Sequence, residues 1–239
     1  MPRAAKWVID AMEGLMGSKL PLMTVVSSRY INNNIKLIRF EGRLTGMDFQ
    51  LGYAVAVRVS DTEFRNYTAS FVDIDKGILE IIFHIHQTAV GCMSMDRLMA
   101  GDKVRITFPR GVRQYDGKVK RQVLFGDETS LGLACSFQNI LKRNNHQYRF
   151  LFELEYENAQ VPSLLGLENY VVLAKKSSSK RQDWLDRFSL ISLKDWSSSN
   201  FVLVGNASSV QLFKKILKEQ DIKGKVFAKA YWAEGRKGL

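Results

Sequence analysis

The chain has 239 residues, 46% of them hydrophobic and 11% aromatic, with only 4 Pro; this excludes a disordered or collagen-like protein and leaves room for one large domain or two smaller ones. Its two cysteines, Cys92 and Cys135, stand far apart without CxxC spacing, which excludes a disulfide framework, a zinc ribbon or an iron–sulfur cluster. The formal charge is +11, spread as 18 basic against 12 acidic residues over 1–125 and 17 against 12 over 126–239, so no tail or arm concentrates it and small anions suit it as well as nucleic acid does.

Residues 4–16 place Trp7, Val8, Ala11, Met12, Leu15 and Met16 on one face of a short amphipathic helix that ends at Gly17. Asp10 and Glu13 interrupt its apolar residues, so it makes no signal-peptide core, and the most apolar run, residues 77–85, carries Glu80 and His84. A cytoplasmic protein with no membrane partner is expected, the Trp7 face docking on the protein itself or on a second subunit.

From Met23 onward, runs rich in β-branched and aromatic residues at 23–28, 35–41, 53–60, 68–73, 77–86 and 102–108 predict the six strands of an antiparallel barrel. Asn32-Asn33-Asn34, Asp75-Lys76-Gly77 and Ala100-Gly101-Asp102 supply its turns. After a polar stretch the pattern changes to strands at 119–125, 148–156, 170–174, 201–205 and 225–231, alternating with helices at 130–143, 181–190 and 208–220. That alternation predicts a doubly wound parallel sheet. The chain therefore divides into an N-terminal helix (1–20), a β-barrel domain (21–115) and an α/β domain (116–239).

The motif with the clearest chemistry is Arg65-Asn66-Tyr67-Thr68. A dinucleotide flavin needs a cation for its pyrophosphate, an aromatic face and a hydrogen-bonding group at its reactive ring, and Arg, Tyr and Thr supply these in turn. On an extended strand Arg65 and Tyr67 fall on the same face. An ordinary strand with a surface Arg would look the same. His84 and His86, two apart, lack a third metal ligand, because the remaining histidine, His146, lies in the second domain; no metal site is expected. Gly126-Asp127-Glu128-Thr129 is open to two readings, a helix capped by Asp127 or Thr129, or a helix N-terminus that accepts phosphate. Lys175, Lys176, Lys180 and Arg181 are likewise either cations for a 2′-phosphate or a solvated loop.

In order along the chain follow Phe83-His84-Ile85-His86, Gly91-Cys92-Met93-Ser94, Gly101-Asp102, Phe108-Pro109-Arg110-Gly111, Gly126-Asp127-Glu128-Thr129 and a closing Ala230-Tyr231-Trp232. Together with Arg65-x-Tyr67-Thr68 this resembles the siderophore-interacting, FAD-binding family of ferric-siderophore reductases, over roughly residues 22–236. The resemblance implies a ferredoxin-NADP reductase-like fold, with FAD on the barrel and NAD(P)H on the sheet. It implies that Thr68 and Tyr67 act at the flavin ring, and that FAD is bound by Arg65, Tyr67, Thr68, Ala69, Ser70, His84 and His86, by the turn Gly91, Cys92, Met93 and Ser94, and by Trp232 covering the ring. Gly126, Asp127, Glu128, Thr129, Gly205, Asn206 and Ser208 fall on the NAD(P)H side. The sequence departs from the family pattern at Cys92 and Met93, at Ser70 where relatives carry a second Arg, and at Ala233 and Glu234 where basic residues are common. The cations for an anionic substrate are therefore sought in Arg110, Arg236 and Lys237.

The activity so implied takes hydride from NAD(P)H and passes single electrons to a ferric siderophore or other small anionic iron chelate, in a monomer or homodimer without a nucleic-acid partner. Two alternatives stand beside it: a flavoreductase with another acceptor, such as free flavin, a quinone or a partner protein, and a basic nucleic-acid-binding module.

Overall fold

The computed structural model describes residues 20–60, 63–86, 90–175 and 193–236. The helices expected over 4–16 and 181–190 lie outside these residues, as do Lys176, Lys180, Arg181 and Lys237. The chain forms two compact units that part between Arg113 and Gln114.

The first unit is a six-stranded antiparallel sheet of β1 (Leu22–Tyr30), β2 (Ile35–Gly42), β3 (Ala54–Ser60), β4 (Glu63–Asp73), β5 (Ile78–His84) and β6 (Lys103–Arg105), in the order β3-β4-β5-β2-β1-β6. Isolated bridges Ala54–Arg110 and Val57–Ile106 join its two edges, so the sheet curls into a nearly closed barrel. Inward-facing residues such as Val25, Ile38, Phe40, Val55, Val57, Leu79, Ile81 and Phe83, at every second position of their strands, fill the interior. The turns follow the expected chemistry: Asn32 Oδ1 accepts from the amides of Asn34 and Ile35, and Asp73 Oδ1 from that of Lys76.

Two features of this unit differ from the sequence reading. The strand expected to begin at Thr68 begins at Glu63, so the whole Arg65–Thr68 motif is extended backbone; pairing with β3 draws these polar residues into the sheet although they show no apolar alternation. Gly91–Ser94, expected as a turn, lie in the amino-terminal half of a helix, α1 (Val90–Arg97). Met95 anchors it by filling the barrel core, a tertiary contact that overrides weak local propensity.

β4 changes partners along its length. Glu63–Thr68 pair with β3, whereas Ala69–Asp73 pair with β5 through a bulge at Ser70. The end of β5, from Ile82 to His84, pairs with β2 alone. The ladder between β4 and β5 is thus open beside Arg65–Thr68.

The second unit is a five-stranded parallel sheet of β7 (Arg121–Gly126), β8 (Gln147–Leu154), β9 (Tyr170–Ala174), β10 (Asn200–Asn206) and β11 (Val226–Trp232), ordered β11-β10-β7-β8-β9. Helix α2 (Leu131–Arg143) covers one face, where the Tyr148 hydroxyl donates to Gln138 Oε1 at 3.3 Å. After a short α3 (Val161–Leu164) that the sequence pattern does not reveal, α4 (Ala207–Glu219) covers the other face, with Phe213 edge-on to Phe125 at 4.8 Å. The chain winds outward from β7 to β9, then restarts at β10 on the other side of β7. Strand order therefore reverses between β7 and β10, the point at which open α/β sheets bind ligands beyond the carboxyl ends of their strands.

Candidate functional site

In the barrel unit the residues gather around the open ladder. The Tyr67 ring sits edge-on to Phe83, ring centres 4.7 Å apart, so it bridges the gap between β4 and β5. Burial, reinforced by the nearby Cys92, pushes its phenol well above the usual tyrosine range. Arg65 donates to Glu63 Oε2 and to the Phe64 carbonyl, each at 2.9 Å, which engages two of its five N–H donors and leaves the rest of the fork for another anion. Cys92, in the first turn of α1, donates to the His84 carbonyl at 3.3 Å. Burial raises its thiol, opposed by a hydrogen bond from the His86 backbone and by the Arg65 charge.

The structure thus brings Arg65, Tyr67, His84 and Cys92 together from β4, β5 and α1. Ser94 is half-buried and Met93 exposed on the same helix. His86 follows the end of β5, its ring 5.5 Å from that of His84. Among the described residues, no three His, Cys, Asp or Glu side chains come together as metal ligands. Ala69 and Ser70 are both buried by the bulge, and Ser70 Oγ has no hydrogen-bond partner. Arg110 is exposed and exchanges backbone hydrogen bonds with Ala54, which in turn pairs with Thr68; Arg110 and Thr68 therefore lie in one row, two strands apart.

These features fit a dinucleotide flavin. The amide end of α1 leaves N–H groups without internal partners, the arrangement that accepts phosphate. Arg65 adds a cation and Tyr67 a ring.

In the sheet unit the expected residues converge at the reversal between β7 and β10. Asp127, 2% exposed, accepts four hydrogen bonds: Oδ1 from the Thr129 amide (2.9 Å) and hydroxyl (2.5 Å), Oδ2 from the Asn206 amide (2.8 Å) and from Trp232 Nε1 (2.7 Å). Burial pushes its carboxyl up, while these donors pull against that shift. Gly126 and Gly205 make the arrangement possible. A Cβ at Gly126 would fall 2.4 Å from Ser130 Cβ, and Gly205, at φ +100°, leaves room for the Asp127 carboxylate.

Glu128 is also buried; its Oε1 accepts from the Glu155 amide (2.8 Å) and Asn158 Nδ2 (3.1 Å), and its Oε2 pairs with Lys175 at 3.2 Å. Burial works against its ionisation, yet these donors hold it below the usual glutamate range. Burial likewise opposes the charge on Lys175, which Glu128 and Asp127 outweigh, raising the ammonium above its ordinary range. Lys175 also lies 3.6 Å from Glu155 and 5.5 Å from the centre of the Trp232 ring.

Of the two readings of Gly126–Thr129 the structure shows the capping one: Asp127 caps the following turn, at the reversal point of the sheet. Asn206 caps α4 through the amides of Ser208 and Ser209. Trp232, expected to cover the flavin, is found at the end of β11 against Asp127, and Arg236 is exposed in the turn beyond it. Sequence reasoning missed Glu153, whose Oε2 accepts from Ser209 Oγ at 2.7 Å, and the partners of Lys175, because no local pattern links them.

An antiparallel barrel joined to a doubly wound sheet, with these residues at the two sites, defines the ferredoxin-NADP reductase-like class of fold. Residues 22–115 match the family model of the oxidoreductase FAD-binding domain. The fold of the chain is similar to that of the siderophore-interacting protein of Acinetobacter baumannii, with a TM-score of 0.71 at 19% identity over 91% of this chain and 92% of that one. The siderophore-interacting protein SipS of Aeromonas hydrophila gives 0.73 at 16% identity over 91% and 93%. Ferredoxin-NADP+ reductase of Plasmodium falciparum, in a structure of its H286L mutant, gives 0.69 at 14% identity over 88% and 96%. No functionally curated protein matches the chain in sequence. No described helix is long and apolar enough to cross a membrane.

Proposed function

We propose that the protein is a cytoplasmic, FAD-dependent oxidoreductase that draws on NADH or NADPH and reduces a ferric siderophore, releasing its iron. The observation that carries this reading is the half-open ladder of the barrel, where Arg65–Thr68 on β4 faces the end of β5 beside the amide end of α1. When bound, a flavin supplies the conversion from a two-electron donor to a one-electron acceptor. Arg65, steadied by Glu63, and the free amides of Gly91 and Cys92 in the first turn of α1 would hold the diphosphate, while Tyr67, kept protonated by burial, would give the ring an apolar wall. Thr68 offers its hydroxyl to the reactive edge.

The nicotinamide substrate is held beyond β7 and β10, where Asp127 and Glu128 set the position of Trp232 and Lys175. Arg110 and Arg236 supply positive charge for an anionic ferric chelate. Iron(II) is a poorer match than iron(III) to hard oxygen ligands, so reduction loosens the chelate. One observation favours a different acceptor, such as a quinone or a partner protein: exposed Glu234 stands where a basic residue would meet an anionic chelate.

The visible spectrum of purified protein after incubation with FAD and gel filtration tests the reading. Retained flavin that bleaches anaerobically with NADH or NADPH, and recovers on adding a ferric siderophore with release of iron(II), supports it. Well-folded protein that retains no flavin overturns it.

A further inference from the structure

Helix α1 is about two turns long, too short to keep its shape alone in water. Cys92 ties its first turn to the His84 carbonyl and Met95 sits in the core, while the remaining side-chain contacts that fasten it gather at its carboxyl end. Lys36 of β2 is 4% exposed, and its Nζ donates to the carbonyls of Asp96 (2.5 Å), Leu98 (3.2 Å) and Met95 (3.3 Å). Ser28 Oγ of β1 donates to the Leu98 carbonyl at 2.8 Å, and the Tyr30 hydroxyl donates to Asp96 Oδ1. The Lys36 ammonium lies 5.5 Å from the centre of the Tyr30 ring.

A neutral donor would satisfy these carbonyls at a smaller desolvation penalty than a buried ammonium. Burial does draw Lys36 below its ordinary range, with Asp96 acting the other way. What the charge adds is a counter-pole. A cation at the carboxyl end cancels the negative pole of the helix and leaves the amide end, about 12 Å away along eight residues, as a positive pole facing the open ladder.

We propose that Lys36 is a positioning residue for the cofactor diphosphate: by fastening and neutralising the carboxyl end of α1, it fixes where the first-turn residues Val90–Cys92 present their free amides. The inference rests on the flavin reading above and extends it to a residue on the opposite end of the helix.

Three ligands separate the parts of the site. FAD carries ring and diphosphate, ADP the diphosphate without the flavin, and riboflavin the ring without phosphate. In K36M, FAD and ADP should each bind about tenfold more weakly, while riboflavin affinity stays within about twofold of wild type and K36R recovers part of the loss. A general loosening of the fold would weaken all three ligands alike, and that outcome, or unchanged FAD affinity in folded K36M, overturns the proposal. Should K36M fail to fold, the double variant Ser28→Ala, Tyr30→Phe loosens the same end with Lys36 in place; it must show the same split, and a uniform loss counts against the proposal. Wild-type protein that binds neither FAD nor riboflavin overturns the flavin reading itself, and the role of Lys36 falls with it.

Discussion

The indole of Trp232 donates to the buried carboxylate of Asp127 at 2.7 Å, joining residues 105 positions apart at the carboxyl edge of the parallel sheet. Because Asp127 Oδ2 also accepts from the Asn206 amide, one oxygen ties the ends of β7, β10 and β11 together. Replacing Asp127 with Asn puts an NH2 group where an acceptor is needed and strands at least one buried donor. Asp127→Asn should lower stability by about 2–4 kcal/mol in urea unfolding, and Trp232→Phe by about 1 kcal/mol. In the double variant the two losses should fall short of their sum by about 1 kcal/mol or more, the mark of direct coupling.

Gly205 is the second requirement of that arrangement. An added methyl would sit 2.6 Å from Asp127 Oδ2 on a backbone at φ +100°. Gly205→Ala should cost about 2–4 kcal/mol, and thermal melts of the variant read this directly. A stability equal to that of the wild type would mean that the carboxylate is not held where the structure has it.

The pair Glu128–Lys175 gives stability a defined pH window. Glu128 titrates below its ordinary 4.5 in the folded state, so its contribution is present above that pH and is lost as pH falls through the folded value. Lys175 titrates above its ordinary 10.5, so its contribution is present below that pH and is lost as pH rises through the folded value. Melting temperature followed from pH 7 to pH 3 should therefore fall more steeply for the wild type than for Glu128→Gln, which starts lower because its link to Lys175 is weaker.

On the barrel, Arg65→Ala should leave the circular dichroism spectrum unchanged and weaken FAD binding by roughly 10- to 100-fold, the range for losing a charge-assisted contact to phosphate. Glu63→Gln should weaken it less, since Glu63 steadies the guanidinium but does not itself supply the positive charge. Titration of flavin fluorescence in both variants tests the order.

The formal charge of +11 should show in kinetics. For an anionic ferric chelate, kcat/KM should drop severalfold between about 20 mM and 300 mM salt, as screening shortens the reach of the protein field to under 10 Å. A neutral chelate assayed in parallel should show little change. Equal salt dependence for both would locate the effect in the nicotinamide step instead.

Period-two alternation in the first half and strand–helix alternation in the second were enough to read barrel and doubly wound sheet from the sequence, because each is a local pattern of which face a residue buries. Gly126–Thr129 and Arg65–Thr68 stand out as candidates for the same reason, as short contiguous runs. What the sequence left open are matters of partner and register. The first half of β4 carries Glu63, Arg65 and Asn66, with no apolar period to mark it, and becomes a strand only because β3 supplies hydrogen bonds along one side. Val90–Arg97 has neither a strong helical stripe nor an acidic start; Met95 in the core and Lys36 at the far end hold it. Lys175, open in the sequence between a cation for a 2′-phosphate and a solvated loop, is claimed by Glu128 from 47 residues away. Local sequence sets which faces are apolar and where the chain turns, while the pairing of buried charges depends on which strand ends the sheet brings together, and only the tertiary structure decides that.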